Sequence, residues 1–111
     1  MEDCVFCNIV SGQAHGEIIA EAEDCMVIRD ILPKAPIHVL VIAKSHIPSI
    51  NEVDSSHFNL LGNMMLLAKS TAEKLGVSAS GYKLIWNVGS DGGQTVKHIH
   101  LHVLGGKKLK D

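Results

Sequence analysis

Apolar positions along this chain change period several times, and each change marks an element. Val5, Phe6, Ile9 and Val10 keep helical spacing ahead of Gly12, a residue suited to the position just past a helix end. Cys4–Val10 is therefore expected to be a short opening helix. Strand-like runs follow at Ile18–Glu21, Cys25–Asp30 and Ile37–Ala43. Pro33 and Pro36 between the last two exclude regular ladder pairing and favour a hairpin-like loop, which predicts an antiparallel meander. Phe58, Leu61, Met65, Ala68, Ala72 and Leu75 then recur at helical spacing between a cap at Asp54 or Ser55 and Gly76, predicting a long helix from about Ser55 to Leu75. Leu60, Met64 and Leu67 form a second apolar stripe on it, read either as a deeply buried helix or as a face for a partner subunit. Tyr82–Val88 and His98–Leu104 complete the strands around a glycine-rich loop, Gly89–Thr95. Strands with a segregated helix make the class α+β, and 111 residues fit one domain, 1–111.

The last strand carries the chemistry. His98, His100 and His102 alternate with Ile99, Leu101 and Val103, a period that belongs to a strand with one aliphatic face and one row of imidazoles. On a helix successive members would lie about 200° apart. Neutral imidazole, with an ordinary pKa of ~6.5, serves as nucleophile, proton shuttle or metal ligand. Alternate strand residues lie about 6.6 Å apart and the outer pair about 13 Å apart, so at most two of the three can share one metal. At least one is left for chemistry. The Gly89–Thr95 loop lacks the spacing of a Walker or dinucleotide fingerprint, yet its three glycines let backbone approach an anion, with Ser90, Gln94 and Thr95 as donors. Asn87, just before it, is placed to hold a phosphoryl or sugar oxygen. Asp30 reads as a turn cap or a group for ribose hydroxyls; His38 reads as a histidine satisfied by backbone or one that orients another imidazole. His15 and His57 are assigned to the surface.

Composition narrows the remaining classes. The net charge is −2, and the one basic cluster, Lys107, Lys108 and Lys110, is better explained as a solvated terminus than as a nucleic-acid site. The chain opens Met1-Glu2-Asp3 without a basic n-region, and no apolar run approaches ~18 residues, so a soluble cytoplasmic protein without membrane association is expected. Three cysteines do not describe a secreted disulfide framework and fit reduced thiols or metal ligands. Cys4 and Cys7 form a CxxC; zinc needs two further ligands, and His46 and His98 are available. Cys25, inside a strand run, reads as a small buried hydrophobe.

His98-Ile99-His100-Leu101-His102-Val103-Leu104 resembles the H-φ-H-φ-H-φ-φ signature of the histidine triad family. Asn87, Gly89–Gln94, Val96, Gly105-Gly106, and Asp30-Ile31 followed by Pro33, Ala35-Pro36 and His38 extend the resemblance to its purine nucleoside phosphoramidase branch, over about Cys4 to Gly106. The resemblance implies a homodimer with a shared sheet, and hydrolysis of nucleoside 5′-phosphoramidates and related nucleotidyl conjugates of purine nucleotides, AMP or GMP, without a catalytic cofactor. It implies His100 as the nucleophile, through a nucleotidyl-histidine intermediate. His102 would bind phosphoryl oxygens and handle the leaving-group proton, with His38 and His98 supporting the imidazole network. Asp30 would hold the ribose, while Asn87, Gly93, Thr95 and Val96 complete the phosphate pocket. Relatives that share the CxxC and a histidine at position 46 imply a structural zinc on Cys4, Cys7, His46 and His98, an assignment of His98 that competes with the first. Val88, Lys107 and the stop at Asp111 without an aromatic tail depart from the branch and bear on leaving-group preference. The alternatives are a dinucleoside polyphosphate hydrolase or phosphorylase, and a nucleotide-binding scaffold of low turnover.

Overall fold

The computed structural model describes residues 3–111. Helix α1 spans Val5–Val10, with Cys4 as its N-cap and Gly12 beyond its end at φ 82°. Strands β1 (Ile18–Glu21), β2 (Cys25–Arg29) and β3 (Ile37–Ala43) form the expected meander, β2 stopping one residue short of Asp30. The Asp30 carboxylate instead accepts the Leu32 N–H at 2.8 Å and turns the chain toward Pro33. Asp54 caps a 3₁₀ turn at Ser55–His57 in a reciprocal capping box with His57, and helix α2 follows at Phe58–Lys74.

Strands β4 (Tyr82–Trp86) and β5 (His100–Gly105) are both shorter than expected, β4 ending before Val88 and β5 beginning two residues after His98. The intervening backbone bonds elsewhere: Ile99 N–H donates to Ile47 O, Gln94 N–H to Gly89 O and His98 N–H to Val96 O. These partners cap the loop and leave no ladder for its ends to extend. The five-stranded antiparallel sheet has the order β1-β2-β3-β5-β4, so β5 inserts between β3 and β4. That insertion puts the histidine strand inside the sheet.

Alternation then divides the two faces. Val27, Val39, Val41, Leu101 and Val103 pack on α2, while Met26, Ile28, Leu40 and Ile42 gather against Phe6 of α1. The second face continues into His100 and His102, which pair with Ile42 and Leu40 across the β3–β5 ladder. Helix α2 meets its sheet face through Leu60, Met64, Ala68, Thr71 and Ala72. The partner-face reading of Leu60 and Met64 is therefore overturned: both lie in the chain's own core, and Leu67 packs partly against it. The apolar residues that α2 leaves outside are Phe58, Met65 and Leu66, exposed at 79%, 42% and 65%. Nine apolar positions on a 17-residue helix allow several stripes, and only the sheet decides which turns inward. Among the described residues no helix is long and apolar enough to cross a membrane.

Met64 is fully buried, so Met64→Ala is expected to cost ~2–5 kcal/mol of unfolding free energy in urea titration, whereas Leu66→Ala should change it by less than ~0.5 kcal/mol. Equal losses at the two positions would contradict this packing.

Candidate active site

Three imidazoles meet on the sheet face opposite α2, and their hydrogen bonds assign a tautomer to each. The Lys34 backbone N–H donates to His38 Nδ1 at 3.1 Å, so in the neutral ring the proton sits on Nε2. That N–H points at His102 Nδ1, 3.0 Å away, and at Asp30 Oδ2, 3.3 Å away. His102 thereby accepts at Nδ1 and carries its own proton on Nε2. His100 is held the opposite way, because its Nδ1–H donates to the His98 carbonyl at 2.7 Å and leaves Nε2 with a free lone pair. The two rings stand 5.0 Å apart, centre to centre. One offers a nucleophilic nitrogen and the other an N–H donor.

A cavity of about 270 Å³ opens over this pair. Phe6, Ile9, Ile28 and Leu40 form its apolar wall; Asp30, Thr95, Val96, His100 and His102 bring the polar groups. The sequence reading did not foresee Phe6 here, whose ring stands edge-on to His100 at 5.0 Å and also contacts His98 at 5.7 Å. Only its helical spacing was visible, since its partners lie more than ninety positions away. His15 is exposed as expected but sits on the rim of this cavity, and His57 is occupied in the α2 cap. Asn87 and Gly93 are not among the residues that line the cavity. Asn87 Nδ2 donates to Gly92 O at 2.8 Å, and Gln94 ties the loop together by accepting from Gly89 N–H and donating to Pro48 O and Val96 O. A Cβ on Gly92 would lie 2.3 Å from the Val88 carbonyl oxygen, so glycine is required for this closed turn.

The fourth triad-region imidazole belongs elsewhere. His98 precedes β5, and its Nε2–H donates to Ala43 O at 2.6 Å, which frees Nδ1 as a lone pair. That atom lies 3.3 Å from Cys4 Sγ, 3.6 Å from Cys7 Sγ and 3.3 Å from His46 Nδ1, with Cys7 Sγ 3.2 Å from His46 Nδ1. In a zinc tetrahedron with Zn–N ~2.0–2.1 Å and Zn–S ~2.3 Å, ligand atoms are separated by about 3.3–3.8 Å. The observed separations match to within a few tenths of an ångström, and the hydrogen bond to Ala43 is the kind of support that orients a ligating imidazole. The donor set fits a tetrahedral metal and leaves no fifth position for a reacting water.

The α+β fold thus sets two oppositely protonated imidazoles over one cavity, an arrangement suited to hydrolase chemistry. The chain belongs to the histidine triad family: the family model described as "Scavenger mRNA decapping enzyme C-term binding" matches residues 3–110. It is similar to the purine nucleoside phosphoramidase of Escherichia coli K12, 39% identical over 108 residues that cover 97% of this chain and 91% of that protein. The structure of a HIT family hydrolase from Legionella pneumophila superimposes with a TM-score of 0.95 at 44% identity, covering 97% of this chain and 96% of that one. A Zn-bound histidine triad family protein from Mycobacterium smegmatis superimposes at 0.80 with 34% identity, covering 96% and 76%.

Burial lowers the pKa of His38, His98 and His100 below the ordinary imidazole value. His102 is pushed furthest, to about 4, by burial first and then by the neighbouring His100 and His38. The unfolded chain binds a proton at position 102 below pH ~6.5 while the folded one does not until about 4, so this group favours folding above ~6.5 and its contribution is lost as pH falls. The melting temperature is expected to decline from pH 6.5 toward 4, and His102→Asn should make that decline shallower. An unchanged slope in the variant would show that His102 titrates normally in the folded protein.

Proposed function

We propose that this protein hydrolyses nucleoside 5′-phosphoramidates and related nucleotidyl conjugates through a covalent intermediate on His100. The observation that carries the reading is the pair of opposed tautomers: a free Nε2 on His100, whose Nδ1–H donates to His98 O, beside an N–H on His102, whose Nδ1 accepts from His38. His100 Nε2 attacks the α-phosphorus, the new N–P bond replaces the bond to the leaving group, and the departing nitrogen takes one proton drawn from solvent through His102. Water then attacks the same phosphorus, the N–P bond breaks, and one proton returns to solvent. His38 and Asp30 hold His102 in its donor tautomer throughout. The apolar wall of Phe6, Ile9, Ile28 and Leu40 suits a flat base, and Asp30 at its edge suits ribose hydroxyls. Purine conjugates are the substrates proposed, in keeping with the E. coli relative.

A zinc ion on Cys4, Cys7, His46 and His98 completes the reading, supported by the atom separations and by the zinc-bound relative. When bound it supplies a cross-link between α1 and the sheet. A homodimer is proposed through β4, the sheet edge that ends the strand order at this side of the site.

Mass spectrometry of protein quenched during turnover of adenosine 5′-phosphoramidate should find an adenylyl adduct on His100, and His100→Asn should lose more than ~10²-fold in rate while still binding AMP. An adduct on His102 would refute the assignment. Protein purified without added metal should contain about one zinc per chain, and the double substitution Cys4→Ser and Cys7→Ser should remove it and lower the melting temperature. Metal-free wild-type protein of equal stability would leave the four residues without a structural role.

A further inference from the structure

A second cavity, of about 350 Å³, lies on the far side of His102 from the nucleoside cavity. Its floor is Ile85 and Leu104, and strand register puts both on the histidine face: Ile85 pairs directly with His102, and Leu104 follows His102 by two residues. Five lysines line it, Lys34, Lys83, Lys107, Lys108 and Lys110. That is half of the ten cationic residues of a chain whose net charge is −2, gathered in one place. Among the described residues none of the five is in an ion pair with a carboxylate, and no acidic side chain lines the cavity; Asp111 lies in an adjoining recess. Lys34 is tied to the catalytic relay, since its own backbone N–H donates to His38 Nδ1.

We infer that this lysine-lined cavity receives the leaving group, and that the enzyme selects conjugates whose leaving group is negatively charged. The inference rests on the hydrolase reading above. With the nucleoside over Phe6, Ile28 and Leu40 and the phosphorus at His100 and His102, the remaining substituent passes over Ile85 toward the lysines. Five lysines around one cavity, Lys83 Nζ among them held by the Lys110 carbonyl, make a positive field that attracts polyphosphate or carboxylate and repels a cationic amine. Two acids at the sheet are engaged elsewhere: Asp30 lines the nucleoside cavity, and Glu21 pairs with Lys44 at the other end of the sheet.

The test compares wild type with a variant carrying Lys107→Gln, Lys108→Gln and Lys110→Gln, and uses Lys69→Gln on α2 as a charge control. Calorimetry at low salt with AMP and with α,β-methylene-ATP, which cannot be cleaved between the α- and β-phosphates, reads the cavity without turnover. Wild type is expected to bind the methylene analogue more tightly than AMP. The triple variant should lose about tenfold of that preference, with AMP affinity changed less than twofold and the control unchanged. Turnover of adenosine 5′-phosphoramidates of glycine and of glycinamide distinguishes the source of charge: a selective loss on the glycine compound assigns carboxylates to the cavity as well as polyphosphates. A preference that survives in the triple variant, or equal loss for AMP and the analogue, overturns the proposal. Wild-type protein that turns over neither phosphoramidate refutes the hydrolase reading, while the binding comparison still decides the cavity.

Discussion

Everything at the site depends on the pairing of β3 with β5. Nothing adjacent in sequence supplies it: a helix, a further strand and the three connections around them separate the two, and β4 enters the sheet only by pairing on the outside of β5. The register Leu40 to His102 and His38 to Leu104 puts His38 diagonally next to His102, within reach of a 3.0 Å hydrogen bond. A slip of one residue would turn every imidazole of β5 toward α2 and into an aliphatic core. Fully buried valines at 39, 41 and 103 on the other face oppose such a slip, so packing far from the chemistry sets its geometry.

Burying several imidazoles together is tolerable because each is neutral and each has its hydrogen bond. His38, His98 and His100 are all at most 6% exposed, and every one has a partner: a backbone carbonyl for His98 and His100, the Lys34 N–H and His102 for His38. Desolvation disfavours the imidazolium form, which would otherwise consume the lone pair on His100. The burial that costs basicity thus keeps the Nε2 lone pair available. Backbone groups choose the tautomers of His38 and His100, and the buried His38 ring passes its choice to His102, so little reorganisation is needed when a phosphoryl group arrives.

Much of this was legible in the sequence, for reasons that differ by element. Strands β1 to β3 and helix α2 follow from local period and punctuation, and their ends fall within a residue or a few of expectation because Asp30, Asp54, Gly12 and Gly76 act through neighbouring backbone. The ends of β4 and β5 were less legible, since the residues between them bond to Pro48, Ile47 and one another, partners no local pattern discloses. The inward face of α2 was misjudged because Leu60-Met64-Ala68 and Phe58-Leu61-Met65 are equally good stripes until a sheet is placed beside them. Cys4, Cys7, His46 and His98 could be named from their donor chemistry, and the structure does bring them together. Phe6 had no such chemistry to mark it, and Lys34 and Lys83 lie far in sequence from the Lys107, Lys108 and Lys110 cluster and meet it only through the sheet.

His98 occupies two sites through different parts of itself. Its ring belongs to the Cys4, Cys7 and His46 cluster, while its main-chain carbonyl fixes the proton of His100. Side chains are replaceable by mutation and peptide carbonyls are not. The two roles are therefore separable over evolutionary time: a lineage can exchange the ring at position 98 and dismantle the cluster, and the instruction that fixes the tautomer of His100 survives for as long as the backbone keeps its path.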